Sequence, residues 1–559
     1  MILGIDVGGT HTDAVLIDDG KVLKKTKVPT NHDHLLASLL NATNEIIEKT
    51  IISQLERIVL STTISTNAIV QNKIDRVGML LVSGPGLSPD SMQAYPDACF
   101  LAGSMNHRGR EMETLNREEA QRAVADFFAD GIKHIGIVGK FSTRNPLHEF
   151  ELREIIGDQA SHVTLGHRMS GHLNFPRRIA TTFLNEAICT LYQKFAFSVA
   201  DFALKRGMNI PIYILKADGG AMELSRSVEF PAQTILSGPA ASVMGIMATT
   251  HCREDAIALD IGGTTTDISI FADGVPLLEP FGVAIEGRKT LIRGLRTRSI
   301  GIGGDSVVAL KEGNIHIGPN REGPAAALGG EFPTPTDAMI VLGLTRIGDL
   351  QKAIHSLMPI AESLHCAIPA AARIIFTETC RRIASAALQF LDEINNKPVY
   401  TIHALLTDRK IAPHAIYVVG GPAEQMAPEI ERLLKTEFDV RDCQAHIPVN
   451  YEIANAIGAA LARTTAELTA LADTENRILT IAEDGSRAPI PANFTLADTI
   501  RVCRERLRTK ILNTDNFAHE PEIEVVESQE FNIVEDFCKA GKNIRVKIQV
   551  KPGSILECS

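Results

Sequence analysis

The chain has 559 residues, 45% hydrophobic and 22% charged, with 56 Lys and Arg against 67 Asp and Glu for a net charge of −11. Such a composition belongs to a globular protein with room for a large core. The acidic balance argues against nucleic acid or an anionic membrane as partner, and length alone suggests three or four domains.

Nine cysteines without a CxxC pair argue against a zinc or disulfide framework and fit free thiols in a reducing cytosol. The chain opens on an apolar strand rather than a secretion signal, and no run of about 18 apolar residues suggests a membrane span. The expectation is a cytoplasmic multidomain protein.

Predicted elements alternate between strand and helix. Residues 2–7 read as an apolar strand, Gly8 and Gly9 as a turn, 14–17 as a second strand and 21–28 as a third. A helix follows at 35–49, a strand at 56–60, and a helix opened by the hydroxyl-rich segment 62–67. Strands at 77–82 and 132–138 flank a helix at 117–129. The spacing then predicts one long helix over 176–206, a strand at 210–216 and a turn at Asp218-Gly219-Gly220. Beyond a strand at 256–259, the Gly- and Pro-rich stretch 301–335 reads as a functional loop region. A helix at 374–394, a buried strand at 416–419 and a last core helix at 454–471 complete the main body. After about residue 473, alternating patterns at 525–531 and 544–550 predict a small α+β unit. Alternation of this kind means an α/β layered fold.

An internal repeat organises the chain. Residues 5–20 and 259–274 share eight identities in sixteen pairs at an offset of 260 − 6 = 254. Each copy is strand, Gly-Gly turn and strand. Asp6, Gly8, Gly9, Thr10, Thr12 and Asp13 correspond to Asp260, Gly262, Gly263, Thr264, Thr266 and Asp267, with Thr265 alongside. Paired glycines turn the backbone sharply and bring N–H groups within reach of a phosphate. Threonine hydroxyls add donors. Asp6 and Asp260 would repel a phosphate directly but suit a Mg²⁺ bridged through water. Two facing hairpins of this kind would grip a triphosphate. The plainer reading, two β-hairpins with Gly turns, explains one copy better than two. No GxxxxGK(S/T) motif occurs, and the Gly turns lead into strands, which excludes a P-loop and a dinucleotide fold. Gly420 and Gly421 end the strand at 416–419, where a base and ribose can lie against bare backbone.

In this order the elements resemble the actin, hexokinase and heat-shock-chaperone ATPase superfamily. Within it the chain resembles the hydantoinase A and 5-oxoprolinase family over about residues 1–465. The segments that carry the resemblance are 5–13, Ser61-Thr62-Thr63 with Thr66-Asn67-Ala68, 236–240, 260–267, 299–304 and Pro335-Thr336-Asp337-Ala338. It implies two ribonuclease-H-like lobes around a nucleotide cleft, plus a small C-terminal unit, divided as 1–175, 176–465 and 466–559. It implies ATP and Mg²⁺ as cofactors and phosphorylation of the carbonyl oxygen of a cyclic amide such as 5-oxoproline or a hydantoin. A hydantoinase B-type subunit would complete hydrolysis, and a homo-oligomer is an alternative assembly. A ketone carboxylase subunit, a small-molecule kinase and a nucleotide-gated interaction protein are the competing readings.

The remaining candidates lie in loops. Asp305, after Gly303 and Gly304, is a candidate base or metal contact, and the plainer reading is a turn aspartate. Thr63, Asn67, His107, Arg110, Asp218 and Asp337 are candidate substrate contacts. For His107 and Arg110 the competing reading is a solvated basic loop, and for Asp337 it is a loop cap. His167 and His172 lack a third ligand at metal-site spacing.

Overall fold

In the computed structural model, which describes residues 1–31, 35–47, 52–86, 95–311, 313–396, 410–512, 522–535 and 538–556, two sheets carry the repeat. The first runs Ala221–Glu223, Ile212–Leu215, Arg57–Thr62, Ile2–Val7, His11–Asp18, Lys21–Pro29. The second runs Val275–Pro276, Thr266–Ala272, Ala256–Ile261, Ala415–Val419, Gln444–His446. In each, an antiparallel hairpin lies beside strands parallel to its first member. The registers match as well: Asp6 faces Asp13, and Asp260 faces Asp267. The repeat in sequence is therefore a repeat in topology, giving two ribonuclease-H-like lobes of the actin-like ATPase kind. All six residues of Ile2–Val7 are buried. That is why this strand is apolar throughout rather than alternating: both faces of the sheet are covered.

A parallel sheet of His162–Leu165, His134–Gly139, Val77–Val82 and Ala98–Phe100 forms a third α/β layer, with helices Arg117–Ala129, Leu147–Ile156 and Phe175–Ala187. Carboxylate–histidine contacts tie it together. Glu149 receives hydrogen bonds from the Gly139 and His167 backbone N–H groups and contacts His167 Nδ1 at 2.6 Å. Glu186 contacts His134 and His162 at 2.9 and 2.7 Å. His167 is thereby committed to structure, and the described residues contain no group of three or more His, Cys, Asp or Glu arranged for a metal. The first sheet crosses the division drawn at residue 175, because its strands Ile212–Leu215 and Ala221–Glu223 come later in the chain.

The C-terminal unit is a five-stranded antiparallel sheet with helix Leu496–Leu512 packed on it. Its first strand, Glu467–Asp473, occupies the end of the predicted helix 454–471. The helix stops at Leu461, and Ala462 turns extended at φ −59°, ψ 130°. Leu468, Ala470 and Ala472 then pair with Ile548, Val546 and Ile544. Small apolar residues suit either state, and the partner strand decides between them. The predicted helix 176–206 is likewise two helices, Phe175–Ala187 and Cys189–Lys205, separated at Ile188. Within 301–335 a hairpin forms from Val308–Lys311 and Asn314–Ile317. No single helix among the described residues is long and apolar enough to cross a membrane.

Helix Ala454–Leu461 is wedged between helix Ser237–Thr249 and strand Ile2–Val7. A Cβ on Gly458 would lie 2.1 Å from the Ala241 carbonyl oxygen, and one on Gly4 would lie 2.3 Å from that of Ala456. Bare backbone on both sides of the helix brings the two lobes together.

Candidate functional site

The site is built where the two hairpins meet. Both turn in the same way: the Gly8 N–H donates to His11 O at 3.1 Å, and the Gly262 N–H to Thr265 O at 2.9 Å. Gly9 is exposed, and a Cβ there would touch nothing within 4 Å. Thr10, Thr264 and Thr265 are half-buried. A Cβ on Gly263 would sit 2.7 Å from Asp305 Oδ2 and 3.7 Å from Thr10 Oγ1. The two hairpin tips and Asp305 therefore converge on one place.

The aspartates form an acidic group in which Asp6 and Asp13 are buried and Asp260 and Asp267 half-buried. Burial, then the charges of Asp13 and Asp260, push Asp6 up to about 7, against a smaller opposing effect of Ser61 and Asn455. Burial pushes Asp13 up to about 6 although Lys27 opposes it. Burial and the neighbouring Asp260 push Asp267 up to about 7. Crowded carboxylates of this kind await positive charge. Asp6 Oδ1 and Asp13 Oδ1 are also buried without a hydrogen-bond partner. The donor set thus fits a hard divalent cation such as Mg²⁺, shared with phosphate oxygens and water rather than caged by protein alone.

Asn455 joins the lobes: its Nδ2 donates to Asp260 Oδ2 at 3.1 Å, and it lies beside Asp6. Ser242 donates to the same Asp260 oxygen at 2.5 Å. A Cβ on Gly420, at φ 94°, would lie 2.7 Å from Asp260 Oδ1, so this turn admits only glycine. Gly421 beyond it faces open space. Gly303 and Gly304 lie against the second hairpin, where the Gly304 N–H donates to Gly262 O at 2.9 Å and the Asp305 N–H to Gly263 O at 2.6 Å. Burial raises Asp305 while Arg321, at 3.6 Å, opposes the shift.

Thr63 and Asn67 also belong here. The Thr63 N–H donates to Val7 O at 3.3 Å, beside the first turn, and Asn67 Nδ2 donates to Thr63 Oγ1 at 3.1 Å. Helix Ser237–Thr249 starts at this point, with Ser237 Oγ donating to Thr62 O at 2.9 Å.

Other predicted contacts sit elsewhere. Thr12 shares a hydrogen bond with Thr30 at 3.0 Å, and Thr266 donates to Ile302 O at 2.7 Å. Both are fully buried, so their hydroxyls serve the hairpins rather than a nucleotide. Asp337 is fully buried as well. It closes a capping box with Thr334 and accepts from the N–H groups of Ala326 and Ala327 at 3.1 and 2.8 Å. No acceptor capacity faces a substrate, which corrects its assignment as a contact. His107 and Arg110 are exposed on a turn whose Arg108 pairs with Asp473 at 3.5 Å, at the C-terminal unit. Asp218 lines a separate cavity at the edge of the first sheet.

Sequence reasoning missed Lys27, Arg321, Asn455 and Ser242. Lys27 Nζ donates to Asp13 Oδ2 and to Glu452 O, both at 2.9 Å. Burial, Lys27 and Arg321 together push His11 down. Lys27 lies on an edge strand among other lysines, and Arg321 lies 54 residues after Asp267, so only tertiary structure assembles them. Asn455 did carry a signal, as the one amide in a helix of small residues.

Two family models match the chain: Hydantoinase/oxoprolinase N-terminal region over residues 2–159, and Hydantoinase/oxoprolinase over 178–468. The chain belongs to the hydantoinase/oxoprolinase family. Among this family member's relatives is the caprolactamase subunit alpha of Pseudomonas jessenii, 27% identical over 67% of this chain and 60% of the relative. The acetophenone carboxylase gamma subunit of Aromatoleum aromaticum is 24% identical over 61% of this chain and 53% of its own length. The 5-oxoprolinase of Saccharomyces cerevisiae is 28% identical over 44% of this chain and 19% of its own length. The chain thus spans only part of the curated relatives it matches. Among solved structures, nucleotide-free acetone carboxylase superposes with a TM-score of 0.73 at 16% identity, covering 100% of this chain and 88% of that one. The ATP-dependent caprolactamase from Pseudomonas jessenii superposes with a TM-score of 0.69 at 19% identity, covering 98% and 87%. At those identities the likeness establishes the fold.

Proposed function

We propose that this chain binds Mg-ATP between its two Gly-Gly-Thr hairpins and uses it to activate the carbonyl of a cyclic amide for hydrolysis. The observation that carries the reading is the convergence of both hairpin tips and Asp305 over a group of four aspartates, two of them buried, joined across the lobes by Asn455. Backbone N–H groups at Gly9, Thr10, Gly263 and Thr264, with the hydroxyls of Thr10, Thr264 and Thr265, would receive the phosphates. Gly420 and Gly421 would lie under the adenosine.

Asp6 and Asp260, with Asp13 and Asp267 nearby, would hold Mg²⁺, which would supply neutralisation of charge on the phosphates. The protein's own part is positioning and electrostatic stabilisation. A bond forms from the substrate's carbonyl oxygen to the γ-phosphorus as the bond to the bridging oxygen breaks, and ADP leaves. An amide is a poor electrophile, and turning its oxygen into a phosphate ester gives water a carbon with a good leaving group. Asp305, raised by burial, is placed to hold or accept a proton at this end of the cleft.

Two relatives are named as subunits, and this chain covers 60% and 53% of them. We therefore assign completion of hydrolysis to a second, hydantoinase B-type chain. A second reading, phosphorylation of a ketone's enol oxygen ahead of carboxylation, is favoured by the acetophenone carboxylase relative. The test is Mg-dependent ATP turnover with Asp6→Ala and Asp260→Ala, screened with 5-oxoproline, hydantoins, lactams and ketones. Both variants should lose turnover while keeping their unfolding midpoints. Unchanged turnover in both would overturn the nucleotide assignment, and incorporation of labelled bicarbonate into a ketone would favour the second reading.

A further inference from the structure

Negative charge dominates where the two hairpins meet, and a triphosphate would add to it. The cations whose charge reaches His11, next to Thr10 at the first tip, are Lys27 and Arg321. Lys27 is already committed to Asp13 Oδ2 and Glu452 O, both at 2.9 Å. Arg321 comes from the loop that follows the second hairpin. Two backbone bonds tie that loop down: the Val307 N–H donates to Asn320 O and the Gly318 N–H to Val307 O, both at 3.0 Å. Val307 lies two residues beyond Asp305, so the tie places Arg321 beside that aspartate. A Cβ on Gly263 would lie 2.7 Å from Asp305 Oδ2 and 3.7 Å from Thr10 Oγ1. A guanidinium next to Asp305 is therefore within side-chain reach of both tips, where the last phosphate of a gripped triphosphate would lie.

The guanidinium is held near this point without being engaged. Arg321 Nη2 stands 3.6 Å from Asp305 Oδ2, beyond hydrogen-bond length. Its Nε is buried and has no hydrogen-bond partner among the described residues. Other arginines of this chain close on their carboxylates: Arg76 on Asp97 at 2.6 Å, Arg381 on Glu437 at 2.7 Å and Arg382 on Glu378 at 2.8 Å. Asp305 is fixed without Arg321, because its N–H donates to Gly263 O at 2.6 Å and Thr336 Oγ1 donates to its Oδ1 at 3.4 Å. The Arg321 side chain is 22% exposed, so an entering ligand can meet it. Its five donors, in a planar fork, are thus left for a partner with several acceptor oxygens.

We infer that Arg321 is a catalytic residue for phosphoryl transfer, its guanidinium passing from Asp305 to the γ-phosphoryl oxygens as that group moves to the acceptor. The bond from the acceptor oxygen to phosphorus forms, the bond to the bridging oxygen breaks, and ADP leaves. Arg321 gives up no proton in this step and stays charged throughout. It sets positive charge where negative charge spreads over three equatorial oxygens, and its fork matches two of them. The long pairing with Asp305 suits the role. A closed bidentate pair would have to break before each turnover, whereas a loose, partly exposed one is left at little cost. The inference rests on the nucleotide reading and adds to it the group that tells a phosphoryl in transfer from one still bound in ATP.

Calorimetric titration of the full chain in Mg²⁺ tests this with two probes. A non-hydrolysable ATP analogue resembles the bound nucleotide, and ADP with aluminium fluoride resembles the phosphoryl group in transfer. The wild-type chain should bind the second about a hundredfold more tightly or better. In Arg321→Gln that gain should shrink to about tenfold or less, while affinity for the ATP analogue stays within about threefold. Arg321→Lys keeps the charge without the planar fork and should recover part of the gain. Thermal melting shows that each variant is folded, and the lysine variant keeps the test intact should Arg321→Gln fail to fold. Equal affinity of the wild type for both probes, a gain retained in full by both variants, or a loss that weakens both probes alike would overturn the inference. If the ATP analogue binds the wild type and the variants behave like it, this inference falls alone; if the analogue does not bind at all, the nucleotide reading falls with it.

Discussion

Replacing Gly458 by alanine is the sharpest test of how the two lobes are joined. The added methyl would sit 2.1 Å from Ala241 O and 2.4 Å from Gly245 N. An ordinary C···O contact is about 3.3 Å or longer, so the shortfall is roughly 1 Å. Both obstructing atoms are backbone and cannot rotate away. Retreat is blocked as well, because Gly4 on the far side already leaves no room beneath Ala456. Overpacking costs about 1–3 kcal/mol, here at the upper end, while alanine's better helix propensity returns at most about 1 kcal/mol. The net expectation is a loss of about 2 kcal/mol, read as a lower urea midpoint. Asn455 rides on the same helix, and its 3.1 Å bond to Asp260 would not survive a shift of that size. Affinity for a non-hydrolysable ATP analogue should therefore fall about tenfold, the effect of one hydrogen bond to a charged group. A Gly458→Ala protein as stable as the wild type and with unchanged nucleotide affinity would refute the reasoning.

Asp337→Ala should strand the N–H groups of Ala326, Ala327 and Thr334, at a cost of about 3 kcal/mol or more, so its urea midpoint should fall sharply. A variant that instead melts normally and loses only substrate affinity would reinstate Asp337 as a contact. Burial pushes Glu149 up, but His167 and two backbone N–H groups outweigh it and hold it below 4.5. A lowered folded value means stability that is present above about 4.5 and is lost as pH falls; Glu149→Gln should flatten that acid limb of the midpoint-versus-pH curve. His134 is raised above 6.5 by its hydrogen bond to Glu186, so its contribution is full below that value and fades as pH rises through the folded value. Glu186→Gln should remove the loss that sets in above 6.5, and an unaltered curve would show that the pair is energetically silent.

How much of this was legible depended on range. The hairpins were readable because glycine, threonine and aspartate recur at fixed spacing, and the turn chemistry is local. The Asp337 capping box was also readable, since Thr334 lies three residues before Asp337 at the head of an apolar run. A loop cap therefore stands in the sequence beside the substrate contact that the family-like Thr-Asp-Ala segment suggests. Residues 462–471 could not be settled locally, because the strand Cys538–Val550 that captures them lies more than sixty residues downstream. The buried state of Thr12 and Thr266 was hidden for a similar reason: their hydrogen-bond partners, Thr30 and Ile302, lie on neighbouring segments.

The two hairpins are copies in sequence and register, yet they have lost mechanical equivalence. The loop at Gly304 and Asp305 fastens the tip of the second through two backbone bonds. The tip of the first is held by one such bond, from the Thr30 N–H to Thr10 O at 2.9 Å, and leaves Gly9 exposed. A ligand entering between them meets one wall held by two loop bonds and one held by a single bond. Slower amide exchange at Gly304 and Asp305, whose N–H groups make the two bonds, than at Gly9 would follow. Duplication has therefore supplied an anvil and a spring from a single ancestral motif, and the loop around Asp305 is what made them different.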